Sequence, residues 1–209
     1  MNLGAAALDA SEKTANQQQN LLEKVGEWLE LKKIISFYDD NADIIHKSKY
    51  HREGFETHCL LVVSNIMEKY ESGDVSEDAV IAAFLHDIAK PRTAAFNKRG
   101  DACFYGHEEV KKEEVEDFLN PDYPDFDIVM DLIHGHMLPH GIGENTPEPF
   151  RQQNKEKLES LLEKHDEQFG KDLLALADCD ARASVKSDDD LQEAEKRADL
   201  IKANLIKTM

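Results

Sequence analysis

Two ionisable residues stand side by side at the end of an apolar stretch, in the segment IAAFLHDIAKPR at residues 81–92. The pair is His86 and Asp87, and Lys90 and Pro91 follow it closely. An ionised carboxylate inside a core is costly unless it is paired or bound to a cation. The pair therefore indicates either a hydrogen-bonded polar pocket or a binding site, and the other polar residues of the chain must distinguish the two.

Further histidines and a second aspartate also occupy apolar faces of predicted helices. Each has hydrophobic residues three or four positions away, as with Leu132 and Ile133 before His136, and residues at those offsets share one helix face. The spacing thus points each polar side chain inward from its own helix. Together with the pair, the set is His58, His86, Asp87, His107, His136 and Asp178.

This combination of residue types favours a metal site. One inward histidine is more often a hydrogen-bonded core residue than a ligand, but two buried aspartates among four imidazoles are hard to satisfy without a cation. Imidazole and carboxylate ligands suit divalent ions such as Mn, Fe, Co, Ni or Zn, and six of them are enough for one ion or two adjacent ions. Because the three cysteines are scattered with no CxxC spacing, a closed structural zinc site is disfavoured.

Several cationic residues near the pair are candidates for binding an anionic substrate. Lys90 follows His86 by one helical turn, where its charge either stabilises the last helix carbonyls or meets a phosphate. His140 follows His136 by four positions and either shuttles a proton or faces solvent. The other candidates lie in two basic stretches of an otherwise acidic chain and are His51, Arg92, Lys98 and Arg99.

Helical periodicity covers most of the chain, so the sequence predicts an all-α fold. The third helix is predicted to start at Ser76 and to be closed by Pro91, because proline does not continue a helix. A short hairpin is expected around Gly100 within the loop 91–106. The polar, glutamine-rich residues 1–19 are predicted to form a flexible lead before a single domain at 20–209. Predicted helices span residues 20–37, 55–70, 76–90, 107–119, 125–137, 155–164, 172–183 and 191–207.

Composition excludes several classes of protein. A net charge of −18 disfavours binding to duplex nucleic acid, which needs a broad basic surface. No apolar run reaches the length of a membrane span, and the N-terminus does not resemble a signal peptide. Three scattered cysteines fit reduced thiols, so we expect a cytoplasmic protein. The apolar stripe of the last helix fits packing on the core or on a partner, which leaves the oligomeric state open.

The ligand candidates also carry a family resemblance, over about residues 48–183. His58, His86-Asp87 and Asp178 in LADCDAR resemble the H…HD…D pattern of the HD superfamily of metal-dependent phosphohydrolases, and His107 and His136 resemble its two-metal form. The segments YHREGFETHCLLV, FLHDIAKPRT, FYGHEEV and LIHGHMLPH are similar, in order and spacing, to the HD domain of bacterial tRNA nucleotidyltransferases. The same signature occurs in HD phosphohydrolases fused to RNA end-healing kinases.

The resemblance implies an HD-domain helical bundle with a metal site in its core. A first ion would be held by His58, His86, Asp87 and Asp178, and a second by Asp87, His107 and His136. His136 is preferred over His134 because it matches the family position. Asp87 and Lys90 are the implied catalytic residues, with Lys90 near the substrate phosphate.

The implied activity is hydrolysis of a phosphate ester by metal-activated water, with one or two ions of Mn, Mg, Ni, Co or Fe. The substrate would be a small nucleotide or an RNA end: a phosphomonoester, a 2′,3′-cyclic phosphate or a phosphodiester. The chain lacks the glycine-serine and paired-aspartate signature of the nucleotidyltransferase catalytic domain, so it is not itself a polymerase of CCA ends. The alternatives are a mixed-valent di-iron oxygenase on the same scaffold and a non-catalytic nucleotide-binding HD module.

Overall fold

The computed structural model describes residues 17–44, 52–98, 100 and 102–208. Helices make up most of this part of the chain, and the only paired strands within it are two short antiparallel ones, β1 (Ala95–Phe96) and β2 (Ala102–Cys103). The prediction of an all-α fold is therefore confirmed. The helices are α1 (17–25), α2 (Leu31–Asp40), α3 (Phe55–Ser72), α4 (Glu77–Leu85), α5 (Lys90–Thr93), α6 (Lys112–Glu116), α7 (Phe126–Gly135), α8 (Glu148–Lys164), α9 (Glu167–Ala183) and α10 (Asp188–Thr208), with a 3-10 turn, η1, at His140–Ile142.

Helix α4 lies at the centre of the bundle. Its residues from Ala79 to Leu85 are all buried, so it is apolar on every face, as expected for a helix surrounded by others. It packs against α3, α7 and α9. Because the polar pair His86-Asp87 follows α4 directly, the packing of this helix carries the pair into the middle of the core.

The end of α4 differs from the sequence prediction. The helix stops at Leu85, residues 86–89 form turns, and a new short helix, α5, begins at Lys90. Pro91 lies in the first turn of α5, where its missing N–H group would have no helical acceptor in any case. Proline therefore starts a helix here rather than ending one, and the tight turns place His86, Asp87 and Lys90 close together.

The segment after the hairpin is also less helical than predicted. The expected helix at 107–119 is reduced to α6, and His107 lies in the turn at 105–108, just after Gly106, which has a φ of +77°. The expected hairpin is present, with Ala95 paired to Cys103. Of the predicted flexible lead at 1–19, residues 1–16 lie outside the described part, whereas 17–19 belong to α1.

The start of α4 is tied to α9 by a buried carboxylate. Asp172 accepts hydrogen bonds from the backbone N–H of Ser76 at 2.9 Å and from its hydroxyl at 2.6 Å, and Gln168 donates to the same carboxylate at 3.0 Å. Ser76 in turn caps α4 by accepting from the N–H of Asp78. The position of α4 along the bundle axis thus depends on Asp172 as well as on apolar packing.

Replacing Asp172 with alanine is expected to lower the free energy of unfolding by about 2–3 kcal/mol, because it leaves the partly buried N–H and hydroxyl of Ser76 without their acceptor. Urea denaturation followed by circular dichroism measures this change. Glu167→Ala on the exposed side of the same helix is the control and should change stability by less than about 0.5 kcal/mol. Equal midpoints for the two variants would contradict this account of how α4 is anchored.

Among the described helices, none is both long enough and apolar enough to cross a bilayer.

Candidate metal centre

Three histidines have their Nε2 atoms turned toward Asp87 and their Nδ1 atoms turned toward the backbone. The Nδ1 atom of each lies within hydrogen-bonding distance of a backbone carbonyl three residues earlier: Ala83 for His86 (2.9 Å), Phe104 for His107 (2.8 Å) and Ile133 for His136 (2.6 Å). A carbonyl only accepts, so Nδ1 of each neutral ring carries the proton and Nε2 keeps its lone pair. The backbone turns at the ends of α4 and α7 and in the loop before α6 therefore prepare three imidazoles as ligands.

Asp87 lies between these histidines and His58. Its Oδ2 atom is 3.1 Å from Nε2 of His86 and 3.5 Å from Nε2 of His58. Its Oδ1 atom is 3.4 Å from Nε2 of His107 and 4.0 Å from Nε2 of His136. The two oxygens of one buried carboxylate thus face two different pairs of imidazoles.

These donors form two groups that share Asp87. The first contains His58, His86, Asp87 and Asp180, and the second contains Asp87, His107 and His136; within each group one ligand atom per residue lies within 4.8 Å of the others. Ligands bound at about 2.1 Å and at right angles around one ion are about 3 Å apart. In the first group the measured separations of 2.9–3.9 Å are therefore those of donors arranged around a single ion.

The charge states of Asp87 and His136 suit cation binding, and that of His58 differs. Burial opposes ionisation of Asp87, but His86 and Lys90 hold the pKa of its carboxyl well below the usual range. Burial, with the neighbouring His86, lowers the pKa of His136 to about 3, so this ring is neutral near pH 7. Burial and Lys90 lower the pKa of His58, but hydrogen bonds to Asp180 and Glu53 outweigh them and raise it to about 9. Anionic carboxylates and neutral rings are the forms that bind divalent metals. Asp87 and His136 are already in these forms near pH 7, whereas the protonated His58 ring would release a proton as an ion binds.

The prediction that Asp178 belongs to the cluster is wrong, and Asp180 occupies that place. The Asp178 carboxylate lies outside the cluster, 2.9 Å from Nε of Arg182 and 3.5 Å from Nζ of Lys69, with a side chain that is 40% exposed. The Oδ1 atom of Asp180 lies 2.9 Å from Nε2 of His58. Residues two positions apart on a helix point in directions about 200° apart around its axis, so only one of the two aspartates faces the core.

The apolar residues of α9 explain why Asp178 was predicted in place of Asp180. Asp178 follows Leu174, which suggested an inward face, but Leu174 is 56% exposed. Asp180 follows Leu176 and Ala177 at four and three positions, and both are buried. Each aspartate in LADCDAR therefore follows apolar residues at helical spacing, so the sequence does not distinguish them. The helices that pack against α9 determine which aspartate faces the core.

Lys90 borders the cluster. Its Nζ atom is 2.6 Å from Oδ2 of Asp87 and lies 5.7 Å from the centre of the Phe104 ring. The side chain is only 7% exposed. Burial lowers the pKa of this amine, but Asp87 and Asp180 raise it above its ordinary value, so Lys90 brings a fixed positive charge to the edge of the first group.

The remaining candidates lie at different places relative to the cluster. His140 reaches the cluster, with Nε2 3.2 Å from Oδ2 of Asp180. Arg92 does not, because its guanidinium binds Glu114 and the carbonyl of Glu109. His134 also lies outside, with Nε2 bonded to the carbonyl of Val110 at 2.9 Å. Lys98 lies in the hairpin turn, and His51 and Arg99 fall outside the described residues.

Sequence reasoning missed Glu53, a fully buried residue just before α3. Its Oε1 atom is 3.3 Å from Nδ1 of His58, and its Oε2 atom accepts hydrogen bonds from the backbone N–H groups of Arg52 (3.0 Å) and Val185 (2.9 Å). A carboxylate on the far nitrogen of a ligating histidine fixes the ring and increases its basicity. No helical period marks Glu53, because it precedes the helix, so only its position in YHREGFETH could have suggested the role.

Replacing Glu53 with glutamine is expected to weaken metal binding at the first group by about 10- to 100-fold, since His58 loses the carboxylate that orients it. Isothermal titration with Mn²⁺ measures the affinity directly. Glu56→Gln is the matched control: it removes a carboxylate three residues further on, which pairs with Lys202 instead. If both variants bind Mn²⁺ as tightly as the unmodified chain, Glu53 has no role in orienting a ligand.

The hydrogen bonding of the histidine Nε2 atoms is a second observation that fits a metal site. Within the described part of the chain, Nε2 of His86, His107 and His136 has no hydrogen-bond partner, although these atoms are buried. Buried polar atoms are normally satisfied, and three such nitrogens facing one carboxylate require an explanation. A divalent ion would satisfy them at once, because imidazole and carboxylate are its preferred ligands.

Comparison with known proteins agrees with this geometry. The HD domain profile matches residues 55–185, which include His58, the His86-Asp87 pair, His107, His136 and Asp180. No curated protein and no solved structure gave a significant match. The profile covers more than half of the chain and all the residues of both groups. The chain therefore belongs to the HD domain family, whose members are generally metal-dependent phosphohydrolases.

Proposed function

We propose that the protein is a metal-dependent phosphohydrolase that acts on a nucleotide or on the terminal phosphate ester of an RNA. One observation carries the proposal: two ligand groups in a buried core share the carboxylate of Asp87. A purely structural core has no need of two buried carboxylates and four imidazoles around one point, since apolar packing is cheaper. The arrangement has the composition of a two-ion hydrolytic centre.

Each group has a defined role in the proposed reaction. His58, His86, Asp87 and Asp180 would hold one divalent ion, and Asp87, His107 and His136 a second. Bound ions supply activation of a water nucleophile and neutralisation of phosphoryl charge. Asp87 would contribute one oxygen to each ion, and Glu53 keeps the His58 ring in place through its Nδ1 atom.

Lys90 would bind a phosphoryl oxygen of the substrate. Its amine is charged, nearly buried and 2.6 Å from Oδ2 of Asp87, so a phosphate at the first group would lie within reach of its three N–H donors. The ion pair with Asp87 holds the flexible side chain in place before substrate arrives, which reduces the entropy lost on binding. His140, with Nε2 3.2 Å from Oδ2 of Asp180, is a second side chain beside that group.

The proposed substrate class rests on charge and on motif similarity. A chain with a net charge of −18 repels long polyanions, which favours a small nucleotide or a single RNA end. The similarity of FLHDIAKPRT and LIHGHMLPH to HD domains that work on RNA ends supports the same class.

The decisive experiment is metal analysis of gently purified protein, followed by assays on 2′-, 3′-, 5′- and cyclic-phosphate nucleotides with Mn, Mg, Ni, Co or Fe. We expect at least one ion per chain and phosphate release that chelation abolishes and added metal restores. Less than one ion per chain, together with no hydrolysis under any added metal, would overturn the proposal. Iron combined with oxygen uptake and no phosphate release would instead identify an oxygenase.

A further inference from the structure

A large cleft adjoins both ligand groups. It encloses about 1020 Å³ between the end of α7, η1, the loop before α6 and one face of α8. His140 lines it and also lies 3.2 Å from Asp180, while Glu108 lines it and lies 3.6 Å from Nδ1 of His107. None of the described residues that line the cleft belongs to either group, but His140 contacts Asp180 of the first group directly. A ligand seated in the cleft would therefore extend past His140 to reach the ligand groups.

The walls of the cleft suit an organic group better than a phosphate. Met137, Leu138 and Leu161 supply apolar surface, and Asn154 supplies an amide whose position is fixed by donation to the carbonyl of Gly141 at 3.2 Å. Sites for small ligands combine apolar walls with a few placed polar groups in this way, and their volumes reach about 1,000 Å³. A base and a sugar offer the matching apolar faces and hydrogen-bonding edges.

The charges along the cleft are mostly negative. Glu108, Glu109 and Glu156 line it, whereas Lys157 is the one lysine or arginine among the described residues on its walls. A further acid there, Asp131, is paired with Lys164 and His165. A cleft with a low-dielectric wall concentrates the field of its charges, so a second phosphate placed in it would be repelled.

We propose that this cleft holds the organic part of the substrate and selects esters that carry a single phosphate over those that carry two or more. The inference rests on the proposed function for the orientation of the ligand, with its phosphate at the ligand groups. In a nucleoside diphosphate bound in the same way, the inner phosphate would lie along the acidic walls. The substrate class is therefore a nucleoside monophosphate or a singly phosphorylated terminus, and not a di- or triphosphate.

Two matched charge reversals on α8 test the selection. Glu156→Lys places a cation in the cleft, and Glu159→Lys makes the same change at an exposed residue of the same helix that does not line it. The measured quantity is equilibrium binding of adenosine and uridine 5′-monophosphates and 5′-diphosphates, with Ca²⁺ as the added metal. Binding is chosen because it reports on the cleft whether or not the bound ester is hydrolysed.

The unmodified chain is expected to bind the monophosphates at least as tightly as the diphosphates. Glu156→Lys should shift the ratio of the two affinities toward the diphosphate by about tenfold, and the shift should shrink as salt is raised. Glu159→Lys should leave the ratio within about twofold. A preference of the unmodified chain for diphosphates, an equal shift in both variants, or no binding of any of the four nucleotides would overturn the inference.

A bulky substitution provides a second readout. Ser160→Trp on the cleft wall should weaken binding of the nucleoside monophosphates by about tenfold or more while leaving that of p-nitrophenyl phosphate unchanged, because the smaller ester does not fill the cleft. Unchanged binding of both ligands would contradict the placement of the organic group. Failure of the proposed function is distinguishable, since it would appear as monophosphate binding without hydrolysis under any metal.

Discussion

Asp87→Asn is expected to abolish metal binding at both groups and to reduce phosphate release by about a thousandfold or more. One carboxylate faces both pairs of imidazoles, so a single substitution removes its negative charge from both groups and leaves one amide oxygen in place of two carboxylate oxygens. A metal ion contributes several kcal/mol of charge stabilisation to phosphoryl transfer, and each 1.4 kcal/mol corresponds to a factor of ten in rate. Metal content by mass spectrometry and phosphate release by colorimetry measure the two effects.

A second variant separates this loss from misfolding. In Asp87→Asn the amine of Lys90 loses its ion-pair partner while it remains buried, and such breaks cost about 3–5 kcal/mol of stability. The double variant Asp87→Asn with Lys90→Met removes both charges of the pair and should recover much of that loss. We expect it to be folded by circular dichroism and still free of metal. A folded double variant that retains metal and activity would contradict the role assigned to Asp87.

Asp180→Asn and Asp178→Asn should have opposite outcomes, although the two residues are close in sequence. Asp180 lies 2.9 Å from the His58 ring. Burial raises the pKa of its carboxyl, but hydrogen bonds with His140 and His58 outweigh burial and hold this pKa far below its usual range. Its loss should weaken binding of the first ion by about a hundredfold and lower activity in proportion. Among the described residues, Asp178 forms partly exposed ion pairs with Arg182 and Lys69, which are worth about 0.5 kcal/mol or less.

The pair of variants tests the orientation of α9 as well as the ligand set. Both proteins lose one carboxylate from the same helix, so general effects of charge on solubility or on helix stability are shared between them. We expect Asp178→Asn to keep metal and activity within about twofold of the unmodified chain. The reverse pattern, with Asp178→Asn inactive and Asp180→Asn active, would mean that α9 is rotated by about half a turn from its position in the structure.

The ligand types could be predicted because they conflict with their surroundings. His58, His86 and His136 sit among apolar residues at helical spacing, and a polar residue in such a stripe is rare enough to be informative. The same reasoning placed Lys90 one helical turn after His86, at the end of the predicted helix. These inferences needed only local sequence, because each depends on a single helix or turn.

Features that depend on contacts between two elements were missed or were expected in a different secondary structure. Glu53 carries no periodic signal, and its role appears only when the segment before α3 meets His58 and the backbone of Val185. His107 was expected on a helix, yet it lies in a turn that aims its Nε2 atom at Asp87. The acidic cleft beside α8 brings together residues from separate segments, and no single stretch of the sequence indicates it.

The sequence alone determined the fold class, the chemistry of the ligands and the central place of the His86-Asp87 pair, because hydrophobic periodicity and the cost of burying charge are local properties. Tertiary structure decided between Asp178 and Asp180. Both follow apolar residues at helical offsets, and only the packing of α9 against α3, α4 and α7 buries one face and exposes the other. A helix carries several possible stripes in its sequence, and the neighbours that cover it select the one that faces the core.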